Sequence, residues 1–337
     1  MADSIVFSVI IPTFNRKHSL LECLRSLARQ TYSKEKFEVI VVDDGSTDGT
    51  PAALMDFKNE SSMQLVLPAQ DHSGPCAARN FAAEAARGEI LAFTDDDLSV
   101  EPQWLEHAAD HLADPSVTGI EGATILAGSL SSIRLLDAKG HVGFMTCNLF
   151  LRKKVFVGAG GFDTAYFDKR RSLYFREDAD LGFRLLKQGC VIQYVVDVVA
   201  VHVPIFQSIG SIFKHARRYY FDALLYRNHP LLYRRLIELK SLGPIRIHRP
   251  FHYLCMANIF SMVLMIILGV EKMSLAFCSS GLLYAVSLLA IAIRYERKTL
   301  LSLRGVMHIL VFVTLPVYYW YWLLRGCFRF RRFGLIV

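Results

Sequence analysis

Three nearly continuous apolar runs limit what this chain can fold into. Residues 5–11 (IVFSVII), 37–42 (FEVIVV) and 89–94 (EILAFT) lack the polar alternation of a half-exposed strand. Each is therefore predicted to be a strand covered on both faces, as in a parallel sheet flanked by helices. Between them, Leu20, Leu24 and Leu27 share one face of a helix that Ser19-Leu20-Leu21-Glu22 would open as a capping box. Further helices are expected near 50–59 and 75–87, with a short strand near 64–67. Beyond residue 94 the pattern predicts a helix near 102–113, strands near 117–125 and 143–151, a helix near 178–188 closed by Gly189, and a strand at 191–196. This β-α alternation indicates an α/β domain with crossover helices.

The three runs end abruptly in polar residues: Pro12-Thr13-Phe14-Asn15-Arg16, Asp43-Asp44-Gly45-Ser46 and Asp95-Asp96-Asp97. In open α/β sheets, ligands bind in the crevice beyond the carboxyl ends of strands. Adjacent carboxylates repel unless solvent, helix N–H groups or a cation offset them. Mg²⁺ is commonly held by one or two carboxylates plus substrate phosphates, so the triplet is read as a metal–diphosphate site. The competing reading is a solvated turn before a helix that Glu101-Pro102 would start. The Asp43–Thr50 stretch reads equally well as a turn with a helix N-cap from Ser46, Thr47 or Asp48. Gly74-Pro75 opens a helix whose N-terminus would attract phosphate, with Arg79 adding fixed charge; a surface Arg is the alternative. Arg176-Glu177-Asp178-Ala179-Asp180 puts acids in a first helical turn, either for the helix dipole or as a catalytic base. There is no G-x-G-x-x-G and no G-x-x-x-x-G-K-[ST], which removes the main support for dinucleotide and P-loop sites.

Charge and hydropathy divide the chain. The net charge is +7, and residues 203–252 account for it, with nine Lys/Arg against Asp222 and Glu238. That segment is also rich in Phe and Tyr, which suits an anionic lipid surface better than nucleic acid. Residues 253–270, 273–293 and 305–324 contain no Asp, Glu, Lys or Arg and are expected to be transmembrane helices. The third is the least regular, with His308, Pro316 and a Tyr/Trp cluster, and an interfacial segment there would reconcile the arginines that follow with the positive-inside rule. The expected organisation is a domain at 1–202, a basic juxtamembrane segment at 203–252 and a membrane region at 253–337. No signal peptide is apparent, so the first domain is expected in the cytosol, at the cell membrane. Seven scattered cysteines without a C-x-x-C pair argue against a disulfide framework or a zinc site.

Taken together, Ser8–Arg16, Val41–Thr50, Gly74–Asn80, Phe93–Asp97, Gly160-Gly161-Phe162-Asp163 and Glu177–Gly189 resemble, in order, the motifs of the family 2 glycosyltransferases, over about residues 5–200. The resemblance implies a GT-A fold and a divalent cation, Mg²⁺ or Mn²⁺. It implies that Pro12, Thr13, Asn15 and Arg16 line a nucleotide pocket, that Asp43 or Asp44 contacts the base, and that Arg79 lies near the donor. It makes Asp97 the main metal ligand and Asp95 its helper, leaves Asp96 a spectator, and sets His202 near the metal. Asp178 becomes the general base of an inverting reaction. No Q-x-x-R-W motif follows, which favours transfer of a single sugar. The expected function is transfer of one sugar from a nucleotide diphosphate sugar, a UDP-sugar, to a lipid-linked or glycan acceptor at the membrane. A polyprenyl-phosphate sugar synthase and an inactive transferase-like scaffold are the alternatives.

Overall fold

The computed structural model describes residues 5–127, 143–202, 209–238, 240–242, 245–247, 250–267, 282–286 and 303–332. Most of the 126–142 loop, residues 203–208, most of the 273–293 run and its basic connection to residue 302 lie outside the described residues. The chain forms two compact units, Met1–Ile205 and Phe206–Val337.

The first unit is built on an eight-stranded sheet. Strands β1 (Phe7–Thr13), β2 (Phe37–Asp43), β3 (Gln64–Val66) and β4 (Ile90–Thr94) are parallel to one another, in the order β3-β2-β1-β4. Every residue of β2 and β4 is buried, as the unbroken apolar runs require. Alternate side chains go to opposite faces. Phe7, Val9, Ile11, Val39, Val41 and Ala92 pack with Leu20, Leu24 and Leu27 of helix α1 (Lys17–Ala28). Ile10, Ile40, Val42, Leu91 and Phe93 pack on the other face, with Ala78 and Ala82 of a helix at Pro75–Ala85.

Beyond β4 the sheet departs from the expected pattern. A strand not foreseen, β5 (Leu98–Val100), leaves the Asp triplet almost at once. β6 (Gly119–Leu126), β7 (Asn148–Arg152) and β10 (Ile192–His202) complete the order β4-β7-β6-β10-β5, with β7 and β5 antiparallel to their neighbours, while β8 (Phe167–Asp168) and β9 (Leu173–Tyr174) pair in a separate two-stranded sheet. The strand expected to stop at 196 runs on to His202 through a register shift between Val195 and Val199. Asn148 holds that region: its side chain accepts from Trp104 Nε1 at 2.8 Å and donates to the Ala123 and Val198 carbonyls, each at 2.9 Å. The capping box is also corrected. α1 begins at Lys17, so Ser19 lies inside it and its hydroxyl donates back to the Arg16 carbonyl.

In the second unit, helices Ile209–Arg218, Asp222–Asn228, Pro250–Ile267 and Leu303–Phe330 are the main elements. Among the described residues, no helix is long and apolar enough to cross a membrane. The expected spans at 253–270 and 305–324 therefore find no support there, and most of the 273–293 run lies outside the described residues. The first of these helices carries His252 and Asn258 among its apolar residues. The Leu303–Phe330 helix turns Leu315, Tyr319 and Leu323 inward, with the Tyr319 ring 4.8 Å from that of Tyr219. A Cβ on Gly326 would lie 2.1 Å from the Tyr220 carbonyl oxygen, so backbones meet there. Its last turns carry Arg325 and Arg329.

Candidate active site

In-register pairing sets Thr13 opposite Asp43 and brings the carboxyl ends of β1, β2 and β4 together. Thr13 Oγ1 donates to Asp96 Oδ2 at 2.7 Å, and Arg16 lies 2.5 Å from Asp97 Oδ2 and 3.7 Å from Asp96 Oδ1. Burial pushes the Asp96 carboxyl up to about 7, against the pull of Arg16 and the Thr13 hydroxyl. Asp96, expected to be a spectator, is thus the tie between the β1 and β4 ends, while Asp97 is left more open to solvent. The antiparallel pairing of β10 with β5 sets His202 opposite Leu98, which brings His202 Nε2 to 3.6 Å from Asp97 Oδ1.

The two acids after β2 have different surroundings. Asp44 is buried. Its Oδ1 accepts from Gln70 Nε2 at 2.6 Å and the Ser73 amide at 2.8 Å; its Oδ2 accepts from the Gly74 amide at 2.9 Å and lies 2.8 Å from His72 Nδ1. It pins the 70–74 loop, and the His72 ring in that loop stacks on Phe14 at 4.1 Å. Asp43 accepts one bond, from the Ser46 amide to Oδ1 at 3.1 Å. Asn15, at φ +53°, bonds Ser46 Oγ through its amide and accepts from the Thr47 amide at 2.7 Å. It staples the loop after β1 to the loop after β2.

The helix at Pro75–Ala85, α3 in chain order after α2 (Thr50–Glu60), joins this cluster to the remaining acids. Arg79 is only 3% exposed. Its Nη2 donates to Asp95 Oδ1 at 2.6 Å, its Nη1 lies 3.9 Å from Glu177 Oε1, and its guanidinium sits 5.6 Å from the Phe162 ring centroid. Burial would strip its proton, but the charges of Asp95 and Glu177 outweigh that and hold it cationic. Arg79 Nε and Nη1 and Glu177 Oε2 are buried without a hydrogen-bond partner. The next residue, Asn80, clamps Phe162 by accepting from its amide and donating to its carbonyl, each at 2.8 Å.

The acids at 177–180 begin the helix Glu177–Lys187, and Arg176 precedes it at φ +75°. Asp180 is buried; it accepts from Tyr166 Oη at 3.0 Å and from Arg184 Nε at 2.9 Å, and Arg184 in turn donates to the Gly161 carbonyl at 2.7 Å. Asp180 is therefore structural. Asp178 Oδ1 accepts from the Ala179 amide at 2.6 Å, which fixes the carboxyl and leaves Oδ2. Burial raises the proton affinity of both Glu177 and Asp178; for Glu177 the neighbouring Asp178 charge adds to it.

These positions separate the expected site residues. Arg79, Asp95, Glu177 and Asp178 form one continuous group; Arg16, Asp97 and His202 form a second beside it; Pro12 lies in β1 immediately before Thr13. Glu177 and His72 were not foreseen as site residues. Glu177 was legible only as a first-turn acid, because spacing alone does not say which acid of the turn is buried.

Among the described residues, no three His, Cys, Asp or Glu side chains converge as a metal site. Asp97 and His202 offer two donors, and Asp95 is held by Arg79. A carboxylate and an imidazole suit a divalent cation that takes the rest of its shell from a diphosphate and water, which is how Mg²⁺ is usually bound. The residues fit such an ion.

Residues 8–162 match the profile of the family described as Glycosyl transferase family 2. That region is a family 2 glycosyltransferase domain. A glycosyltransferase of Haloferax volcanii, AglE, is 30% identical over 208 residues, 58% of this chain and 66% of that protein. The Staphylococcus aureus poly(ribitol-phosphate) β-N-acetylglucosaminyltransferase TarS is 39% identical over 103 residues, 31% of this chain and 18% of that protein. The chain thus spans less than two thirds of either relative. In fold, the chain is similar to the Pyrobaculum calidifontis mannosyltransferase PcManGT, solved with GDP-Man and Mn²⁺, with a TM-score of 0.56 at 20% identity over 96% of this chain and 87% of that one. It is also similar to residues 1–349 of S. aureus TarS, solved with UDP-GlcNAc, with a TM-score of 0.54 at 18% identity over 98% and 93%. The α/β GT-A-like fold, expected from sequence, is therefore present. Among the described residues, the transmembrane part of that expectation finds no support.

Proposed function

We propose that the chain is an inverting glycosyltransferase. It moves one sugar from a nucleotide diphosphate sugar, a UDP-sugar, to a lipid-linked or membrane-proximal glycan acceptor. The observation that carries this reading is the arrangement around Arg79: one buried guanidinium joins Asp95, at the end of β4, to the turn that holds Asp178. A donor lying over the strand ends would have its leaving diphosphate by Asp97 and His202 and its anomeric carbon toward Asp178.

In this reading Asp178 Oδ2 takes the proton of the attacking acceptor hydroxyl while Oδ1 stays bonded to the Ala179 amide. The hydroxyl oxygen bonds to the anomeric carbon as the bond to the diphosphate oxygen breaks, and the nucleoside diphosphate leaves. The raised proton affinity of Asp178 moves it toward neutral pH, where a general base is most effective. Asp97 and His202 would hold the divalent cation, Mg²⁺ or Mn²⁺, which supplies charge compensation on the departing diphosphate. Arg16 adds a fixed charge beside Asp97. Asp43, with one carboxylate oxygen beyond its bond to Ser46, is the better candidate for the base contact.

The named relatives support a nucleotide-sugar donor and a glycan or polymer acceptor. The basic composition of 203–252 supports work at a membrane, with the catalytic unit on the cytosolic side. The test is a thermal-stabilisation panel of UDP-, GDP- and dTDP-sugars with and without Mn²⁺, since a ligand of the native state raises stability by RT ln(1 + [L]/Kd). A metal-dependent shift with one donor supports the reading. No shift with any donor, together with no nucleoside diphosphate release, would leave an inactive scaffold. Turnover that survives Asp178→Asn and yields a polyprenyl-phosphate sugar would assign a phosphate acceptor instead.

A further inference from the structure

The second unit exposes large apolar side chains along helix faces. On Pro250–Ile267, Leu254, Phe260, Val263 and Leu264 are exposed, Phe260 at 70%, and Phe260 has the three- and four-residue spacing of one helix face to Val263 and Leu264. On Leu303–Phe330, Val317, Tyr321 and Phe328 are exposed, Phe328 at 69%. Surfaces of this kind mark partner or membrane contacts when the apolar residues are contiguous.

The charge on the second helix identifies the occupant. Leu303–Phe330 contains no Asp or Glu, and neither does the chain after it. Arg325 and Arg329 lie among the exposed apolar positions, and Arg331 and Arg332 follow. Arg325 donates to Tyr321 Oη at 2.6 Å, and its guanidinium lies 5.8 Å from the Tyr321 ring and 5.4 Å from the Trp322 ring. Tyr, Trp and Arg combined on one helix, with exposed Val317 about two turns before Arg325, suit a boundary between acyl chains and anionic headgroups. Nucleic acid would meet the arginines but not Phe260, Val263 and Val317.

We propose that these exposed faces seat the second unit on an anionic lipid surface, with aliphatic and aromatic side chains in the acyl boundary and Arg325 and Arg329 among phosphates, and with neither of these two helices crossing the bilayer. This deepens the proposed membrane-proximal acceptor, and it rests on that reading only for its purpose.

The test is flotation of the purified full chain with vesicles of phosphatidylcholine alone or with 30 mole per cent phosphatidylglycerol, at low and high salt. Arg325→Gln with Arg329→Gln should lower partition into anionic vesicles about thirtyfold, about fivefold per cation, as expected for a charge near an anionic leaflet. Phe260→Glu with Val263→Glu should lower partition into both vesicle types. Brominated acyl chains should quench Trp320, which is half-buried, but not Trp104, which is buried in the other unit. Donor-induced stabilisation, measured on each variant, reports the first unit independently: if it persists while flotation fails, only the surface proposal falls. The proposal is overturned if anionic vesicles at low salt do not float the chain, if both pairs of substitutions leave partition unchanged, or if the same face instead holds a second copy or duplex DNA.

Discussion

Asp44→Asn and Asp43→Asn should have opposite consequences, although the two acids are adjacent at one strand end. The Asp44 carboxylate meets four donors, two on each oxygen: Gln70 Nε2 and the Ser73 amide on Oδ1, the Gly74 amide and His72 Nδ1 on Oδ2. An asparagine keeps one acceptor oxygen and turns an NH₂ toward the other two donors. Two charge-assisted bonds are lost, worth about 1.5–3 kcal/mol each, so Asp44→Asn should cost about 3–6 kcal/mol. For a unit of this size that is a fall in Tm of about 10 °C. Asp43 accepts only the Ser46 amide at 3.1 Å, which the asparagine oxygen can also do, so Asp43→Asn should change stability by less than about 1 kcal/mol. It should instead weaken UDP binding by about tenfold, as expected for losing one charge-assisted bond to a base imide. Melting without nucleotide and calorimetric titration with UDP separate the two effects. If Asp44→Asn melts like the parent and binds UDP poorly while Asp43→Asn does neither, the assignment of Asp44 to the loop and Asp43 to the base is wrong.

Asp178→Asn should lower kcat at least about a hundredfold while leaving donor-induced stabilisation nearly intact; unchanged turnover would remove the base. Because burial raises its folded-state proton affinity, the acid limb of the parent's kcat profile should lie above the ordinary carboxylate range, and an ordinary limb would contradict the burial argument. Gly182→Ala would set a Cβ 2.2 Å from buried Phe144 ring carbons, so it should cost about 2–3 kcal/mol and lower activity through the helix that carries Asp178. By contrast, Gly158, with open space around its Cβ position, should accept alanine with no loss of Tm. Glu38 is buried; desolvation raises its proton affinity, but bonds from Ser8 and from the amide and side chain of Arg87 outweigh this and lower it overall. Its contribution is therefore present above its ordinary value of 4.5 and lost as pH falls through the lower folded value. Glu38→Gln should lower Tm at pH 7 and flatten the acid side of a Tm-against-pH curve; parallel curves for the two proteins would refute this.

Residue order alone determined the strands and what ends them. Buried parallel strands need uninterrupted apolar runs, so β1, β2 and β4 were legible, and so were the polar residues beyond them. The Asp180–Arg184 pair was also within reach, because residues four apart share a helix face. The strand near 143–151 was expected, but its antiparallel direction and the whole of β5 leave no comparable trace. β5 is three residues long, and the bulge that carries β10 on to His202 has no periodic signature. Sequence could list the acids at 43–44, 95–97 and 177–180, but not divide their tasks, because a carboxylate's role depends on which donors surround it. Tertiary structure made that division: Asp44, Asp96 and Asp180 are taken up in holding loops and strand ends together, Arg79 links Asp95 to Glu177, His202 is brought beside Asp97, and Asp43 and Asp178 each keep a carboxylate oxygen beyond their one amide bond. In the second unit, hydropathy counted apolar residues but could not say where they faced. The Leu303–Phe330 helix turns some against Tyr219 and Tyr220 and leaves others outward, a difference set by which neighbours each turn meets.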